Sequence, residues 1–365
     1  MQKGYFFTGF PGFISNQLIR EVLKRNEGQG TVYVLVLPQM AEKAKAEKAD
    51  ILRDFSLEDS RFQIIEGDIT QPMLGIEKQV NETLATDLTH VFHLAAIYDL
   101  AVPKDIAYRV NVNGTKNVND WVLTLNNIQR YTYFSTGYVA GRREGILFEN
   151  ELIKPASFKN FYEETKYEAE VLVEGLKKDV PVTIIRPGIV KGHSKTGQTI
   201  KFDGPYFIMN FLDRLGFMPI LPNLVQTETV VNLVPVDYII EATTYLTFSE
   251  KGAGKTYHLT DPNPYKVREL YEMMMEQMLG KRPRGNIPFI FTKASLQLKP
   301  LRRFLGVEKE VLDYFTWKGY FDCSRAQEDL KGSGIVCPDF KEGIPAMAKF
   351  YTENKANKGY HIKIV

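Results

Sequence analysis

Tyr162-Glu163-Glu164-Thr165-Lys166 sets a phenol and an ammonium four residues apart. On a helix that spacing puts both side chains on one face, a turn apart. A neighbouring positive charge favours the phenolate and draws the phenol down from its usual pKa of about 10. Such a phenol donates a proton to a carbonyl oxygen as hydride reaches the carbon, or removes one in the reverse direction. Ser135 and Thr136 end the apolar run Tyr131–Phe134 and supply hydroxyls that could hold the same carbonyl against Tyr162. Near the start, Thr8-Gly9-Phe10-Pro11-Gly12-Phe13-Ile14-Ser15 follows the apolar run Tyr5–Phe7. A glycine-rich turn between strand and helix lets backbone N–H groups and the helix's positive end meet a pyrophosphate. A plain tight turn explains the two glycines equally well, and a lone Tyr/Lys pair is common surface decoration. Both gain weight from the elements that carry them.

Those elements alternate. Tyr5–Phe7, Thr31–Val36, Phe62–Ile65, Val91–Leu94, Tyr131–Phe134 and Val182–Ile185 are strand candidates. Helical patterns separate most of them, the first with Ile14, Leu18, Ile19, Val22 and Leu23 on one face, the Tyr162 helix running from about Asn160 to Leu176. Alternation of this kind predicts an α/β fold: a Rossmann-like, doubly wound parallel sheet whose ligand lies across the carboxyl ends of the strands. Asp68 falls at one such end, to bond adenine or to cap a turn. No acid follows the second strand, which reads Leu35-Val36-Leu37-Pro38, and Lys43, Lys45 and Lys48 come next. An acid there usually holds the ribose hydroxyls of NAD. Its absence favours NADP, with NAD as the alternative and a solvated charged face as the bland account of the lysines.

The motifs Thr8-Gly9-x-x-Gly12-Phe13-Ile14, Asp68, His93-Leu94-Ala95-Ala96, Asn111-Val112-Asn113-Gly114-Thr115, Ser135-Thr136, Tyr162-x-x-x-Lys166 and Arg186-Pro187-Gly188 follow in order over the first 190 residues. Together they resemble the extended short-chain dehydrogenases/reductases. The resemblance implies Tyr162 as proton donor, Lys166 as the group that holds the nicotinamide ribose and tunes Tyr162, and Thr136 as the catalytic hydroxyl with Ser135 beside it. It gives Asn111 a role in organising the centre or a proton path, with a cap or buried amide as the competitor. Cofactor contacts would come from Thr8 to Ile14, from Asp68 and Ile69, from Leu94, Ala95 and Ala96, from Tyr162 and Lys166, and from Pro187, Gly188 and Ile189. Ser15 stands where the family has a third glycine. His93 is assigned to packing near the adenosine, and Asp237 to the return of the chain to the nucleotide half. Phe134 to Val139, Arg186 to Gly192 with Gly197, and Val234 to Tyr238 resemble the fatty acyl-CoA reductase and thioester reductase branch. Nucleotide-sugar epimerases or dehydratases and hydroxysteroid dehydrogenases share the skeleton and stay open as alternatives.

The 365 residues carry 46 basic and 44 acidic side chains, a net charge of +2 that gives no chain-wide case for nucleic acid. No apolar run approaches the roughly 20 residues of a membrane span, and a cytoplasmic location is expected. Cys323 and Cys337 are expected to be reduced and structural; His90 and His93 lack partners at metal-ligand spacing. The nucleotide domain is expected over 1–191 and a smaller, interdigitated substrate domain over 192–365, with segments near 230–260 returning to the first. Residues 206–222 are strongly apolar, as a core helix and turn or as the wall of an apolar substrate channel. Seven basic residues between 281 and 304, namely Lys281, Arg282, Arg284, Lys293, Lys299, Arg302 and Arg303, have no acid among them. They could receive coenzyme A phosphates or an acidic carrier protein, or be ordinary surface. A hydrophobic substrate, CoA- or carrier-linked, and a homodimer are the expected partners.

Overall fold

The computed structural model describes residues 3–99, 101–223, 228–287 and 289–362. Its strands are β1 (Gly4–Thr8), β2 (Thr31–Val36), β3 (Phe62–Glu66), β4 (Leu88–His93), β5 (Arg130–Phe134), β6 (Gly145–Leu147), β7 (Val182–Pro187), β8 (Ile189–Lys191), β9 (Leu233–Pro235), β10 (Lys255–Leu259) and β11 (Gly319–Phe321). Seven make one sheet in the order β10-β7-β5-β4-β1-β2-β3, and every neighbour pair is parallel. The chain steps outward from β1 to β3, then returns to β4 on the other side of β1. That reversal opens a crevice at the carboxyl ends of β1 and β4, where this class of sheet binds its ligand.

The sheet is covered on both sides, and β1, β4, β5 and β7 are buried along their whole length. Tyr5 and Phe7 face one layer, formed by the helices Phe13–Arg25, Ala41–Phe55 and Val236–Phe248. Phe6 faces the other, where Trp121, Tyr131, Tyr133, Ala169 and Val173 pack. The Tyr162 helix spans Phe161–Leu176, with Asn160 as its cap, its Oδ1 accepting from the Glu163 N–H at 2.9 Å.

The C-terminal half interleaves with the first. β10 lies beside β7 at the sheet edge, helix Val236–Phe248 packs on helix Phe13–Arg25, and Cys323, Ala326 and Leu330 complete the first core layer. A second core joins helices Tyr206–Leu215, Val267–Leu279 and Phe340–Asn354 through Phe202, Met209, Leu212, Leu270, Met274 and Ile344. The apolar stretch after Pro205 divides: Tyr206, Phe207, Ile208, Met209 and Leu212 are buried, whereas Phe217 and Ile220 beyond the helix are exposed. Among the described residues no helix is long and apolar enough to cross a membrane.

Candidate active site

At the carboxyl end of β1, Gly9 has φ +86, and a side chain on it would meet the Ala95 N–H at 3.0 Å. Gly12 donates to the Gly9 carbonyl at 2.8 Å, and a Cβ at Gly12 would fall 2.6 Å from that oxygen. Helix Phe13–Arg25 starts there without a side-chain cap and without an acid in its first turn, so the helix end has both the room and the polarity to take an anion. Ser15 is buried beside it, its hydroxyl without a protein partner. These features fit the pyrophosphate of a dinucleotide. The Phe10 ring packs against Phe62 in the core, which leaves only backbone for a cofactor, and Phe13 and Ile14 lean on the same core.

The floor of the crevice is a buried hydrogen-bond chain. Thr8 Oγ1 accepts from the Leu94 and Ala95 N–H groups, both at 3.1 Å, and lies 2.8 Å from His93 Nδ1. A hydroxyl with two donors on it gives its own proton to the third partner. His93 is therefore the Nε2–H tautomer, donating to Thr115 Oγ1 at 3.0 Å. Burial, with the Lys166 charge adding, holds its pKa near 3, so His93 is a neutral strut that ties β1 to β4.

Thr136 caps the short turn Gly137–Ala140 and accepts from the Tyr138 N–H at 3.2 Å. Its hydroxyl is a near neighbour of the Tyr162 phenol, which brings the two groups of the expected chemistry together. Burial pushes Tyr162 up to about 12; the Thr136 hydroxyl works against this, while Glu163 and Tyr98 reinforce it. Lys166 donates to Tyr133 Oη at 2.8 Å and to the Phe134 carbonyl at 2.6 Å, and burial brings it down to about 7 against the pull of Glu170. The expectation that Lys166 draws Tyr162 down thus fails in this arrangement, because β5 holds its ammonium.

Two other expected catalytic groups are engaged elsewhere. Ser135 donates its hydroxyl to Glu170 Oε2. Glu170 Oε1 accepts from Arg186 Nε at 2.8 Å and Nη2 at 2.5 Å, and all three side chains are buried. Ser135 is a member of that ion-pair network, not a free hydroxyl for substrate. Asn111 sits in a π-helical turn, Tyr108–Asn113. Its amide accepts from the Ile97 N–H at 2.8 Å and donates to the Ile97 carbonyl and to Thr165 Oγ1, each at 3.0 Å. It braces the loop after β4 against the Tyr162 helix.

The remaining expected contacts divide. Asp68 Oδ1 accepts from the Thr70 N–H at 2.8 Å and so caps a turn, while Ile69 packs beneath Gly114 in the core. Leu94, Ala95 and Ala96 are half-exposed along the crevice. Pro187 ends β7, and Gly188 is required by Asn232, whose carbonyl would stand 2.8 Å from a Cβ there. Ile189 donates its N–H to that carbonyl at 2.9 Å. Lys45 and Lys48 pair with Glu42 at 2.8 Å and Asp59 at 2.7 Å, and Lys43 is exposed. Asp237 accepts from the Ser194 N–H and hydroxyl and pins the loop after β8.

The sequence reading missed Glu170 and Tyr133. Glu170 lies one turn beyond Lys166, a spacing visible in the sequence, whereas the contact of Tyr133 with Lys166, 33 residues apart, is made only by folding. Cys323 and Cys337 are free thiols raised by burial, Cys323 to about 11. Among the described residues no group of three His, Cys, Asp or Glu is placed to hold a metal ion.

A glycine-turn crevice at the carboxyl edge of a doubly wound parallel sheet defines an NAD(P)-binding Rossmann fold, and Thr136, Tyr162 and Lys166 lie at that edge. The NAD-binding family described as Male sterility protein matches residues 7–243, more than half of the chain, and the chain belongs to it. It is 24% identical to a nonribosomal peptide synthetase of Aspergillus campestris over 94% of this chain and 34% of that protein. It is 26% identical to a fatty acyl-CoA reductase of Drosophila melanogaster over 66% of this chain and 53% of that one. The chain spans about a third of the first of these relatives and about half of the second. Its fold is that of the terminal R domain of the myxalamid PKS-NRPS pathway (TM-score 0.80, 24% identity, 98% of this chain and 92% of that one). It is also that of a thiolation-reductase di-domain from an archaeal non-ribosomal peptide synthetase (TM-score 0.75, 19% identity, 98% and 76%).

Proposed function

We propose that this chain reduces the carbonyl carbon of an apolar acyl thioester, or of the corresponding aldehyde, with NADPH preferred over NADH. The observation that carries the reading is the neighbourhood of the Thr136 hydroxyl and the Tyr162 phenol at the carboxyl edge of β5, with Lys166 one turn along the same helix. The missing acid after β2 supports NADPH, and the Drosophila relative's name supports an acyl substrate. The archaeal relative joins a reductase to a thiolation domain, which supports a thioester carried on a protein or on coenzyme A.

A reduced nicotinamide, when bound, supplies the hydride. Gly9, Gly12 and the first turn of helix Phe13–Arg25 would hold its pyrophosphate. A carbonyl oxygen between Thr136 and Tyr162 accepts from both hydroxyls, which orients the carbon and stabilises the charge that develops on oxygen. Tyr162 gives up its proton as the C–H bond forms. From a thioester the product is a hemithioacetal; its C–S bond breaks to release a thiol and an aldehyde, and a second hydride with a second proton gives the alcohol.

The test follows consumption of NADPH and NADH by near-ultraviolet absorbance with long-chain acyl-CoA, acyl-pantetheine and fatty aldehyde. The expected result is turnover faster with NADPH and reduced about 10²–10⁴-fold in Tyr162→Phe, the usual worth of a positioned acid. A folded protein that binds NADPH but consumes none with any of the three would overturn the reading.

A further inference from the structure

Lys159 stands just ahead of the Tyr162 helix, yet its side chain is only 2% exposed. Its ammonium donates to the Gly141 carbonyl at 2.6 Å, at the end of the turn that Thr136 caps, and to Glu163 Oε1 at 3.3 Å, on the residue after Tyr162. Three aromatic rings enclose it: Trp317 at 4.2 Å from the centroid, Tyr314 at 5.1 Å and Tyr138 at 5.6 Å. A desolvated cation against ring faces is held well.

The cage is itself tied down. Trp317 Nε1 donates to the Arg143 carbonyl at 2.7 Å, and Asn160 Nδ2 donates to Tyr314 Oη at 3.0 Å. Glu163 is fully buried and accepts from the Lys159 N–H at 3.0 Å. Arg142 and Asp313 are the other charges that bear on the ammonium. One buried cation thus joins two segments, the Thr136 turn and the first turn of the Tyr162 helix, and two of its three rings come from residues 314–317.

We propose that Lys159 is a positioning residue that sets the spacing between Thr136 and Tyr162, and that docking of residues 311–321 completes the aromatic cage on which that spacing depends. The proposal rests on the reductase reading for its effect on rate, but its structural half can be read without turnover. A hydroxyl pair must meet one oxygen, and a displacement of about 1 Å costs about 10²-fold in rate.

The experiment compares Lys159→Met and Lys159→Arg with wild type. Lys159→Met is expected to lower kcat about 10²-fold with fatty aldehyde, with KM and the NADPH Kd changed less than about threefold, because neither ligand touches Lys159. Lys159→Arg refills the cage and is expected to recover most of the loss. Hydrogen exchange supplies the readout that needs no substrate: in Lys159→Met the amides of 137–141 and of 160–164 are expected to lose protection together. Should Lys159→Met fold poorly because Glu163 is left buried and uncompensated, the double variant Lys159→Met/Glu163→Gln removes that charge and is expected to give the same paired loss. Unchanged kcat in an active enzyme, or deprotection confined to one of the two segments, overturns the proposal. If wild type consumes no NADPH, the reductase reading fails, and the paired exchange result still decides whether Lys159 joins the two segments.

Discussion

Lys166 shows how far a side chain's chemistry is set by what surrounds it. Its ammonium is buried between the Tyr133 phenol and the Phe134 carbonyl, and burial brings its pKa down to about 7. The charged form is therefore present below about pH 7 and lost above it. Tyr162, raised to about 12, stays protonated across the same range and contributes no limb there. If the cationic form is the one that serves catalysis, kcat/KM, which reports groups of the free enzyme, is expected to fall as pH rises through about 7. Lys166→Arg keeps its charge throughout and is expected to flatten that limb, whatever its absolute rate. A limb that stays near pH 7 in Lys166→Arg would assign it to another group.

At the scale of elements, the joint that matters most is made by one carboxylate. Glu149 Oε1 accepts from the His258 N–H of β10 at 2.9 Å and the Ala326 N–H at 3.2 Å, and Oε2 accepts from the Arg325 N–H at 2.7 Å. It supplies acceptors to the start of helix Ser324–Leu330, where Cys323 at the cap makes no capping side-chain bond and Asp322 Oδ1 accepts from the Ser324 N–H at 3.4 Å. Burial pushes Glu149 up to about 7 while the three N–H groups pull it down. Glu149→Ala strands three donors and is expected to cost about 2–3 kcal/mol, read as a lower urea midpoint, with Glu149→Gln costing less. A loss below about 0.5 kcal/mol would mean that water replaces the carboxylate without penalty. This joint also marks where sequence reading stops. Strand Thr31–Val36 and helix Asn160–Leu176 were legible because a run of apolar residues or a 3.6-residue period is a local property. The approach of Thr136 to Tyr162 followed from the order of the sheet. That Ser135 turns to Glu170, that Asn111 braces Ile97, and that Glu149 reaches residues 325 and 326 depend on chain segments brought together only by folding. Spacing carries no record of such partners.

For the whole molecule, the question is whether the nucleotide half is a domain in the physical sense. A cut at residue 191 encloses six strands of the sheet but omits β10, which lies in the segment near 230–260 expected to return to the nucleotide half and pairs with β7 from Lys255 to Leu259. It also omits Val236, Ile239, Ala242 and Leu246, which cover helix Phe13–Arg25, and Cys323, Ala326 and Leu330, which complete the same layer. All seven of these side chains are buried, and Ile239, Ala242, Leu246 and Ala326 are fully so. Each large aliphatic side chain removed from that layer forfeits about 1.5–3 kcal/mol of burial, so losing Val236, Ile239, Leu246 and Leu330 alone costs about 6–12 kcal/mol, comparable to the whole stability of an ordinary domain, about 5–15 kcal/mol. The Arg186 guanidinium would lose His258, and β7 would become an exposed apolar edge, a template for pairing with other chains. A fragment ending at residue 191 is therefore expected to be aggregated or molten, without sharp near-ultraviolet circular dichroism, whereas the chain through residue 354 keeps the complete layer and is expected to unfold cooperatively. A monomeric 1–191 fragment with a cooperative transition and bound NADPH would show instead that the later segments decorate a nucleotide domain already complete without them.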